Sequence, residues 1–253
     1  RATAERATAV GIGNLASGVS SFAGGDKSTA TGAQSVAIGL SANSAASNTI
    51  AMGSSAQATQ EGAIAIGTGT VSGSTNSVVL GTNAKVERDV STSNVIIGHN
   101  AKAVVSSTFP LTELGKDAVA IGFESQVGAA SNVALGSNAK AIGSSQATAV
   151  GYKADALGYQ ATALGSSANA SASSSLALGR EASATVANGV ALGSGSVADV
   201  TFGQTGADPL NAATDKTTST WKASHAAVSV GNGTTVTRQI TSVAAGTQDT
   251  DAV

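Results

Sequence analysis

Cysteine is absent from the 253-residue sequence, and aromatic and charged side chains are scarce. Aromatic residues make up 3% of the chain and charged residues 11%, whereas about 25% of residues are charged in an average globular protein. Four Phe, two Tyr, one Trp and one Met cannot fill a conventional core, because large side chains supply most of its buried area. The composition therefore predicts a thin, closely spaced core, as in a solenoid.

Basic residues are too few and too scattered to form a nucleic-acid interface. The formal net charge is −2, and nucleic-acid binding needs a basic patch, so we expect no nucleic-acid partner. No apolar run approaches the roughly 18 residues that span a bilayer, and the first residues do not resemble a secretion signal. We therefore expect no direct membrane insertion by this segment. The lack of cysteine is compatible with export through an oxidising compartment.

A short repeat marked by glycine dominates the first four-fifths of the chain. The marker glycine follows an alternating apolar triplet, and consecutive markers mostly differ by 14 in their position, as Gly53 and Gly67 do. The spacing rises to 17 after Gly81, 24 after Gly98 and 15 after Gly136, which predicts insertions at corners of a repeating coil. The markers are Gly11, Gly25, Gly39, Gly53, Gly67, Gly81, Gly98, Gly122, Gly136, Gly151, Gly165, Gly179 and Gly193.

Each marker glycine follows a strand pattern. The positions three and one before it are usually β-branched or aliphatic, as in Val36 and Ile38, and the residue between them is usually Ala. This period of two predicts a β-strand, and a weaker alternation such as Ala139 and Ala141 predicts a second strand after the glycine. We assign structural turn roles, at positive φ, to Gly39, Gly53, Gly67, Gly136, Gly165, Gly179 and Gly193.

Strand dimensions give the expected size and surface of the coil. Two strands of about five residues make a coil about 17 Å wide, and thirteen coils stacked about 4.8 Å apart make a rod of roughly 60 Å. Apolar residues on both faces of the first strand predict that both faces are covered. A single roll would leave its small-residue face exposed, and this uncovered face predicts self-association.

No residue set predicts catalysis, a metal site or a cofactor site. The period of 14 differs from the period of six in β-helical acyltransferases. Calcium-binding nonapeptide repeats need an Asp that recurs after paired glycines, whereas this sequence has one such Asp, Asp26 after Gly24 and Gly25. Ice-binding solenoids present Thr-x-Thr rows, whereas the pairs here are mostly Ala-x-Ala. We interpret His99 and His225 as solvated turn residues, and the chain as a non-enzyme.

Several repeat units are similar to the head repeats of trimeric autotransporter adhesins, the YadA-like bacterial surface proteins. The units are Ser35-Val36-Ala37-Ile38-Gly39, Asp117-Ala118-Val119-Ala120-Ile121-Gly122 and Asn132-Val133-Ala134-Leu135-Gly136. The resemblance covers residues 1–203 and implies an all-β, left-handed parallel β-roll head. It also implies a homotrimer in which three rolls pack around a common axis.

The C-terminal segment resembles two further parts of the same family. Residues 228–253 are similar to the neck that joins the head to a coiled-coil stalk, and they contain Val228-Ser229-Val230-Gly231-Asn232, Arg238 and Ile240. Residues 204–227 are similar to a connector in which one Trp per chain forms a ring at the threefold axis, here Trp221. The resemblance implies structural roles for Trp221, Val230, Arg238 and Ile240. Since no signal peptide, stalk or anchor barrel is visible, we expect an excised fragment.

The resemblance implies a non-catalytic adhesin head that attaches a bacterium to host cells or extracellular-matrix proteins. Such a head is the extracellular part of an outer-membrane-anchored protein at the bacterial cell surface. Repetitive display would let weak contacts sum by avidity, and no particular ligand-binding residues are predicted. One alternative is a structural spacer that projects a more distal adhesive domain. Another, an enzyme acting on surface glycans, would need a clustered pair of acidic groups, which the sequence does not present.

Overall fold

The structure, a computed structural model, describes residues 1–86, 92–104, 116–208 and 214–246. Its strands form two parallel sheets, one of 14 strands and one of 13. The first sheet contains β1 (Thr8–Ile12), β3 (Phe22–Asp26), β5 (Val36–Leu40), β7 (Ile50–Met52), β9 (Ile64–Ile66), β11 (Val78–Leu80), β13 (Val95–Ile97), β15 (Val119–Ile121), β17 (Val133–Leu135), β19 (Thr148–Val150), β21 (Thr162–Leu164), β23 (Leu176–Leu178), β25 (Val190–Leu192) and β27 (Val228–Ser229). The second sheet contains β2 (Leu15–Ala16), β4 (Thr29–Ala30), β6 (Asn43–Ser44), β8 (Gln57–Ala58), β10 (Val71–Ser72), β12 (Lys85–Val86), β14 (Lys102–Ala103), β16 (Gln126–Val127), β18 (Lys140–Ala141), β20 (Asp155–Ala156), β22 (Asn169–Ala170), β24 (Ser183–Ala184) and β26 (Val197–Ala198).

Each strand pairs with the strand two places along the chain, so the chain winds as a parallel β-solenoid. In regular coils each residue pairs with the residue one repeat further on, as Val36 does with Ile50, which confirms the predicted repeat and the predicted all-β roll. Most strands have three or two residues, so the expected length of about five residues is wrong outside β1, β3 and β5. Tight turns at both corners occupy the remaining positions of each coil.

The three irregular spacings leave the strand register intact. Val78 pairs with Val95 across the spacing of 17, and Val95 pairs with Val119 across the spacing of 24. Val133 pairs with Thr148 across the spacing of 15. The extra residues therefore all lie at the corner between a second-sheet strand and the following first-sheet strand. Residues 87–91 and 105–115, which contain most of the two larger insertions, lie outside the described residues.

Alanine fills the interior between the two sheets. The residue between the two aliphatic positions of each first-sheet strand, such as Ala37 or Ala51, is fully buried, and so are the paired alanines of the second sheet, such as Ala139 and Ala141. The larger aliphatic residues point outward, and Ile38 is 36% exposed. The expectation that the small-residue face lies outside is therefore wrong. Two short strands joined by tight turns leave a gap between the sheets that fits a methyl group in most coils.

The coils next to the large insertions have a larger interior. The biggest fully buried side chains of the described residues are Ile96, Val79, Val86 and Val127, and all four belong to the coils marked by Gly81, Gly98 and Gly122. Elsewhere the same positions hold mostly Ala or Ser. Because protein interiors are close-packed, we infer that these coils, called the widened coils below, are wider than the regular ones.

Two buried asparagines replace turn hydrogen bonds where the repeat is interrupted. In regular coils the amide before the first-sheet strand donates to a carbonyl three residues earlier, as Ala161 does to Gly158. After the spacing of 15, the amide of Ala147 donates instead to Oδ1 of Asn132 at 2.8 Å. After the spacing of 24, the amide of Ala118 donates to Oδ1 of Asn94 at 3.1 Å. Both asparagines are fully buried, so each satisfies an amide that would otherwise lack its turn partner.

The marker glycines form a column in which each backbone approaches the next. Gly165 has φ of +139°, and a Cβ placed on it would lie 2.5 Å from the carbonyl oxygen of Gly179. Gly81 has φ of +128°, and its Cβ would lie 2.5 Å from the carbonyl oxygen of Gly98. Glycine is therefore needed here for the contact between coils as well as for the backbone angle, which side chains rarely tolerate.

Left-handed backbone at the other turn positions is supplied mostly by residues other than glycine. The second residue after the marker glycine has φ near +55°, as in Asn83, Asn100, Asn138 and Ser167. A matching residue of this kind precedes most first-sheet strands, for example Asn48 and Asn188. Asn reaches this conformation more easily than most residues, and Gly69 and Gly195 occupy the same turn position.

Candidate functional site

The outer face of the first sheet carries two apolar rows. The row three residues before the marker glycines is half-buried, and the row one residue before them is more open, with Met52 38% and Leu164 43% exposed. Strand pairing aligns Val36, Ile50, Ile64, Val78, Val95, Val119 and Val133 in the first row. Contiguous apolar surface of this extent marks an interaction face.

The outer face of the second sheet is polar. The outward residue of its strands is paired in the order Asn43, Gln57, Val71, Lys85, Lys102, Gln126, Lys140, Asp155, Asn169 and Ser183. Burial raises the pKa of the Asp155 carboxyl, and the neighbouring Lys140 ammonium acts in the opposite direction. The roll is thus two-sided, with an apolar outer face on one sheet and a hydrated face on the other.

A polar groove lies on the second-sheet side of the widened coils. Its volume is about 710 Å³, and it is lined by Asn83, Lys85, Asn100, Lys102, Glu124 and Gln126. At the adjoining corner, the rings of His99 and Phe123 stack with centroids 5.4 Å apart and planes inclined by 18°. Both residues are exposed, so the structure places His99 in a turn where its ring packs on an aromatic neighbour.

Arg238 closes the C-terminal end of the roll. Its guanidinium donates to the carbonyls of Ser194 and Val230 and, at 2.9 Å, to the hydroxyl of Ser196. It also covers Gly193, where an added Cβ would lie 2.9 Å from the guanidinium carbon. One side chain therefore joins the last complete coil to the strand that returns after the connector.

The returning segment adds one more strand to the roll. β27 pairs with β25 through Val190 and Val228, and the amide of Val197 donates to the carbonyl of Gly231 at 2.7 Å. Asn232 holds the following turn, because its Oδ1 accepts from the amides of residues 234, 235 and 236. The chain thus leaves the roll after β26 and comes back in register.

In the connector, Trp221 is held by a backbone hydrogen bond and by a lysine that stands over its ring. The amide of Gly206 donates to the carbonyl of Trp221 at 2.7 Å, and Lys216 lies 5.8 Å from the centre of the Trp221 ring. Lys216 also pairs with Asp208 at 3.1 Å. Hydrogen bonds from the hydroxyl and the amide of Thr217 lower the pKa of the neighbouring Asp215 carboxyl.

The predicted structural residues occupy two regions of the described chain. The glycines Gly39, Gly53, Gly67, Gly136, Gly165, Gly179 and Gly193 all have positive φ and share the corner column. Trp221, Val230, Arg238 and Ile240 lie in or after the connector; Trp221 and Val230 are half-buried, whereas Ile240 is 68% exposed. Ile240, to which the resemblance assigns a structural role, is therefore largely uncovered in the single chain, and Val243 is 49% exposed.

Sequence reasoning did not identify the buried asparagines, the groove or the pair formed by Asp208 and Lys216. The only sequence signal for the asparagines is their position just before the first-sheet strand in coils with irregular spacing. His225 lies in an exposed turn, where its Nδ1 is 3.1 Å from the Ser224 hydroxyl. Within the described ranges, no three or more acidic, His or Cys side chains are grouped to hold a metal ion. No helix in those ranges has the length and apolarity to cross a bilayer.

The repeat register, alanine interior and glycine column define a parallel β-solenoid of short repeats. The family profile described as "YadA head domain repeat (2 copies)" matches residues 2–28, 16–42, 44–70, 114–139, 133–154, 144–168, 156–182 and 170–196. The chain therefore belongs to the YadA head repeat family, as the sequence resemblance predicted.

Comparison with individual proteins gives two further matches. The chain is 57% identical over 60 residues to the autotransporter adhesin BadA of Bartonella henselae, which is 23% of this chain but only 2% of that protein's length. Among solved structures, the collagen-binding domain of the Yersinia adhesin YadA aligns with 81% of this chain and 77% of its own, at 24% identity and a TM-score of 0.34.

Proposed function

We propose that the chain is a non-catalytic adhesin head segment that works as a homotrimer and attaches a bacterium to host cells or extracellular-matrix proteins. Membership of the YadA head repeat family is the observation that carries this proposal. The surface location follows from it, since such heads belong to proteins anchored in the outer membrane. We divide the chain into a head (1–203), a connector (204–227) and a neck (228–253).

The apolar rows of the first sheet are the proposed trimer contact. Half-exposed aliphatic residues recur in consecutive coils there, while the opposite sheet presents amide, hydroxyl and charged groups. Burying three such faces around one axis removes apolar surface from water, which is favourable at about 25 cal/mol per Å². The driving surface is the large-aliphatic face, since the small-residue face is already buried inside each roll.

Trp221, Val230, Arg238 and Ile240 are proposed to hold the connector and neck. Arg238 ties the returning segment to the last coil within one chain. Ile240 and Val228 leave most of their surface uncovered in the single chain. We propose that other copies cover them and that the three Trp221 rings meet at the threefold axis.

A structural spacer is the second candidate function. The coils from Ala147 to Ala198 favour it, because they repeat with small interiors and constant spacing. A spacer needs stiffness along its length and no particular ligand surface. In that case the trimer would form but would not bind host proteins.

The assembly test compares the two outer faces. Leu164→Glu places a charge in the apolar row, and Asn169→Glu places the same charge on the polar face as a matched control. We expect the parent and Asn169→Glu chains to sediment as trimers at micromolar concentration and Leu164→Glu to dissociate. A parent chain that sediments as a folded monomer would refute the proposed assembly.

The adhesion test uses the parent trimer on immobilised collagen, fibronectin and laminin and on host cells. Saturable binding that the dissociated Leu164→Glu chain loses would support an adhesin that depends on avidity. A stable trimer that binds none of these surfaces would instead support the spacer.

A further inference from the structure

We propose that the polar groove lined by Asn83, Lys85, Asn100, Lys102, Glu124 and Gln126 binds a short oligosaccharide of neutral hexopyranoses. The His99–Phe123 ring pair stacks in the turns next to Asn100 and Glu124, and in this proposal it supplies an apolar surface beside the groove. Only the role of this glycan as a host receptor rests on the proposed adhesin function. The binding itself follows from the chemistry of the groove.

The position of the groove leaves it accessible after assembly. Lys102 and Gln126 are outward residues of β14 and β16 in the second sheet. The apolar rows that we assign to the trimer contact lie on the first sheet, on the other side of the alanine interior. A trimer built through the first sheet therefore leaves the groove facing solvent, with one copy on each chain.

The side chains of the groove match the hydrogen-bonding groups of a sugar. A sugar hydroxyl both donates and accepts, and Asn and Gln amides offer a donor and an acceptor side by side. Asn100 and Gln126 supply such amides, Lys102 donates, and the Glu124 carboxylate accepts. Lys85 and Lys102 against Glu124 give the groove one net positive charge. The choice of a neutral sugar therefore rests on the amides of Asn83, Asn100 and Gln126 and not on charge.

The groove lining is polar, and the aromatic pair lies in the adjoining turns. The ring of Phe123 is 46% exposed, and Phe123 immediately precedes Glu124, just as His99 precedes Asn100. The apolar C–H face of a pyranose can pack on an exposed ring while its hydroxyls bond to polar neighbours. Ligand sites commonly combine an aromatic surface with a few polar groups in this way. The groove volume of about 710 Å³ lies within the range of about 300–1,000 Å³ of small-molecule sites.

The backbone of the groove is held by the solenoid. Asn100 and Glu124 have left-handed φ of 57° and 53°. Their amides are fixed by bonds to the preceding coil, from Asn100 to Thr82 at 3.0 Å and from Glu124 to His99 at 2.9 Å. Little backbone ordering is then needed on binding, which lowers the entropic cost of association.

The test measures binding of named oligosaccharides to the full chain. The probes are mannotetraose, cellotetraose, chitotetraose and a neutral tetrasaccharide of galactose and N-acetylglucosamine, with a heparin-derived tetrasaccharide as the polyanionic arm. Saturation-transfer NMR and calorimetry should detect at least one neutral probe with a dissociation constant below about 1 mM. Gln126→Ala and Phe123→Ala should each weaken it about ten-fold, the effect of losing one good contact.

Matched controls come from equivalent positions in other coils. Gln57 occupies the strand position of Gln126, and Tyr152 follows its marker glycine as Phe123 does. Gln57→Ala and Tyr152→Ala should leave the affinity unchanged. Equal weakening by controls and groove variants would overturn the proposal, and so would failure of every neutral probe. Binding of heparin alone, with an affinity that falls as salt rises, would also overturn it.

The same samples separate this proposal from the adhesin function. Trimer formation and binding to matrix proteins are measured in parallel with the sugar titrations. If matrix binding persists without any sugar binding, only the groove assignment fails. If sugars bind but neither cells nor matrix do, the groove is a glycan site on a segment whose adhesin role is wrong.

Discussion

The coils from 147 to 198 and the coils from 77 to 127 follow the same winding with different interiors. In the first region the interior is almost entirely Ala, with Ser at two positions and Gly at one, and the marker spacing is constant at 14. In the second region Val79, Val86, Ile96 and Val127 are buried, and the spacings reach 17 and 24. Strand register continues unchanged through both regions.

This difference shows which parts of the repeat are fixed. The glycine column and the left-handed turn positions are common to both regions, because neighbouring backbones touch there. Interior side-chain size varies with the width of the coil, since a close-packed interior must be filled. The solenoid therefore accepts extra residues at one corner when a buried Ser or Asn side chain replaces the lost turn acceptor, and larger interior side chains accompany only the two larger insertions.

The largest expected effect lies in what the regions share. Gly81→Ala in the widened region and Gly165→Ala in the regular region should each destabilise the fold by more than about 4 kcal/mol per chain, because the new methyl group meets a carbonyl of the next coil. Thermal or urea unfolding of both variants measures this. A mild effect in the widened region alone would show that the coils there can separate.

Ile96→Ala should cost about 2–5 kcal/mol, since it leaves a cavity in a widened coil. Urea unfolding gives the value, and Ala163→Gly at the equivalent strand position is the control for loss of side-chain volume in a narrow coil. An unfolding free energy close to that of the parent would mean that the widened coils collapse freely around the smaller residue.

The reciprocal change tests the narrow coils. Ala163→Val inserts two methyl groups where the interior holds alanine, and overpacking of this kind costs about 1–3 kcal/mol. Val79→Ala shortens the equivalent residue of a widened coil and serves as the matched substitution. If Ala163→Val unfolds at the same urea concentration as the parent, the regular interior is less tightly packed than its side chains indicate.

Asn132→Ala should destabilise the chain by about 1–3 kcal/mol, because the buried amide of Ala147 then lacks an acceptor. Hydrogen exchange at Ala147 should accelerate relative to Ala161, whose amide keeps its turn bond. Asn169→Ala, an outward asparagine in β22, is the control and should change little. Unaltered exchange at Ala147 would contradict the proposed compensation.

The smallest expected effect is a stabilisation in the regular region. Ser167 has φ of +56°, and Asn is better suited to this conformation, so Ser167→Asn should raise the unfolding free energy by roughly 0.5 kcal/mol. Differential scanning calorimetry of the trimer, where the change is present in every chain, is the suitable measurement. A lowered transition temperature would count against a purely local turn effect.

The sequence predicts the winding well and the orientation of the strands poorly. Glycine spacing and period-two alternation indicate two short strands per coil, because both patterns are local and recur many times. The alternation between Val36, Ala37 and Ile38 is apolar on both faces, however, so hydrophobicity does not say which face is inside. The narrow gap between the sheets decides, and it accepts only Ala37.

The candidate site is less predictable because its residues are not evenly spaced. Asn83, Asn100 and Glu124 are neighbours in space only because the insertions leave the register intact. Arg238 follows a connector with no repeating pattern, and it contacts Ser194, which lies before that connector. Contacts of this kind depend on where the chain re-enters the roll, which residue spacing alone does not indicate.

Backbone hydrogen bonds that point from one coil to the next have a mechanical consequence. When tension is applied along the rod, the bonds at one boundary between coils act in parallel and share the load. Successive boundaries are in series, so each of them carries the full load. The breaking force is then set by the weakest boundary and does not fall in proportion as coils are added. Pulling on a free chain end would instead open these bonds a few at a time, so Arg238 and β27, which fasten the last coil, oppose the easier way for the rod to fail.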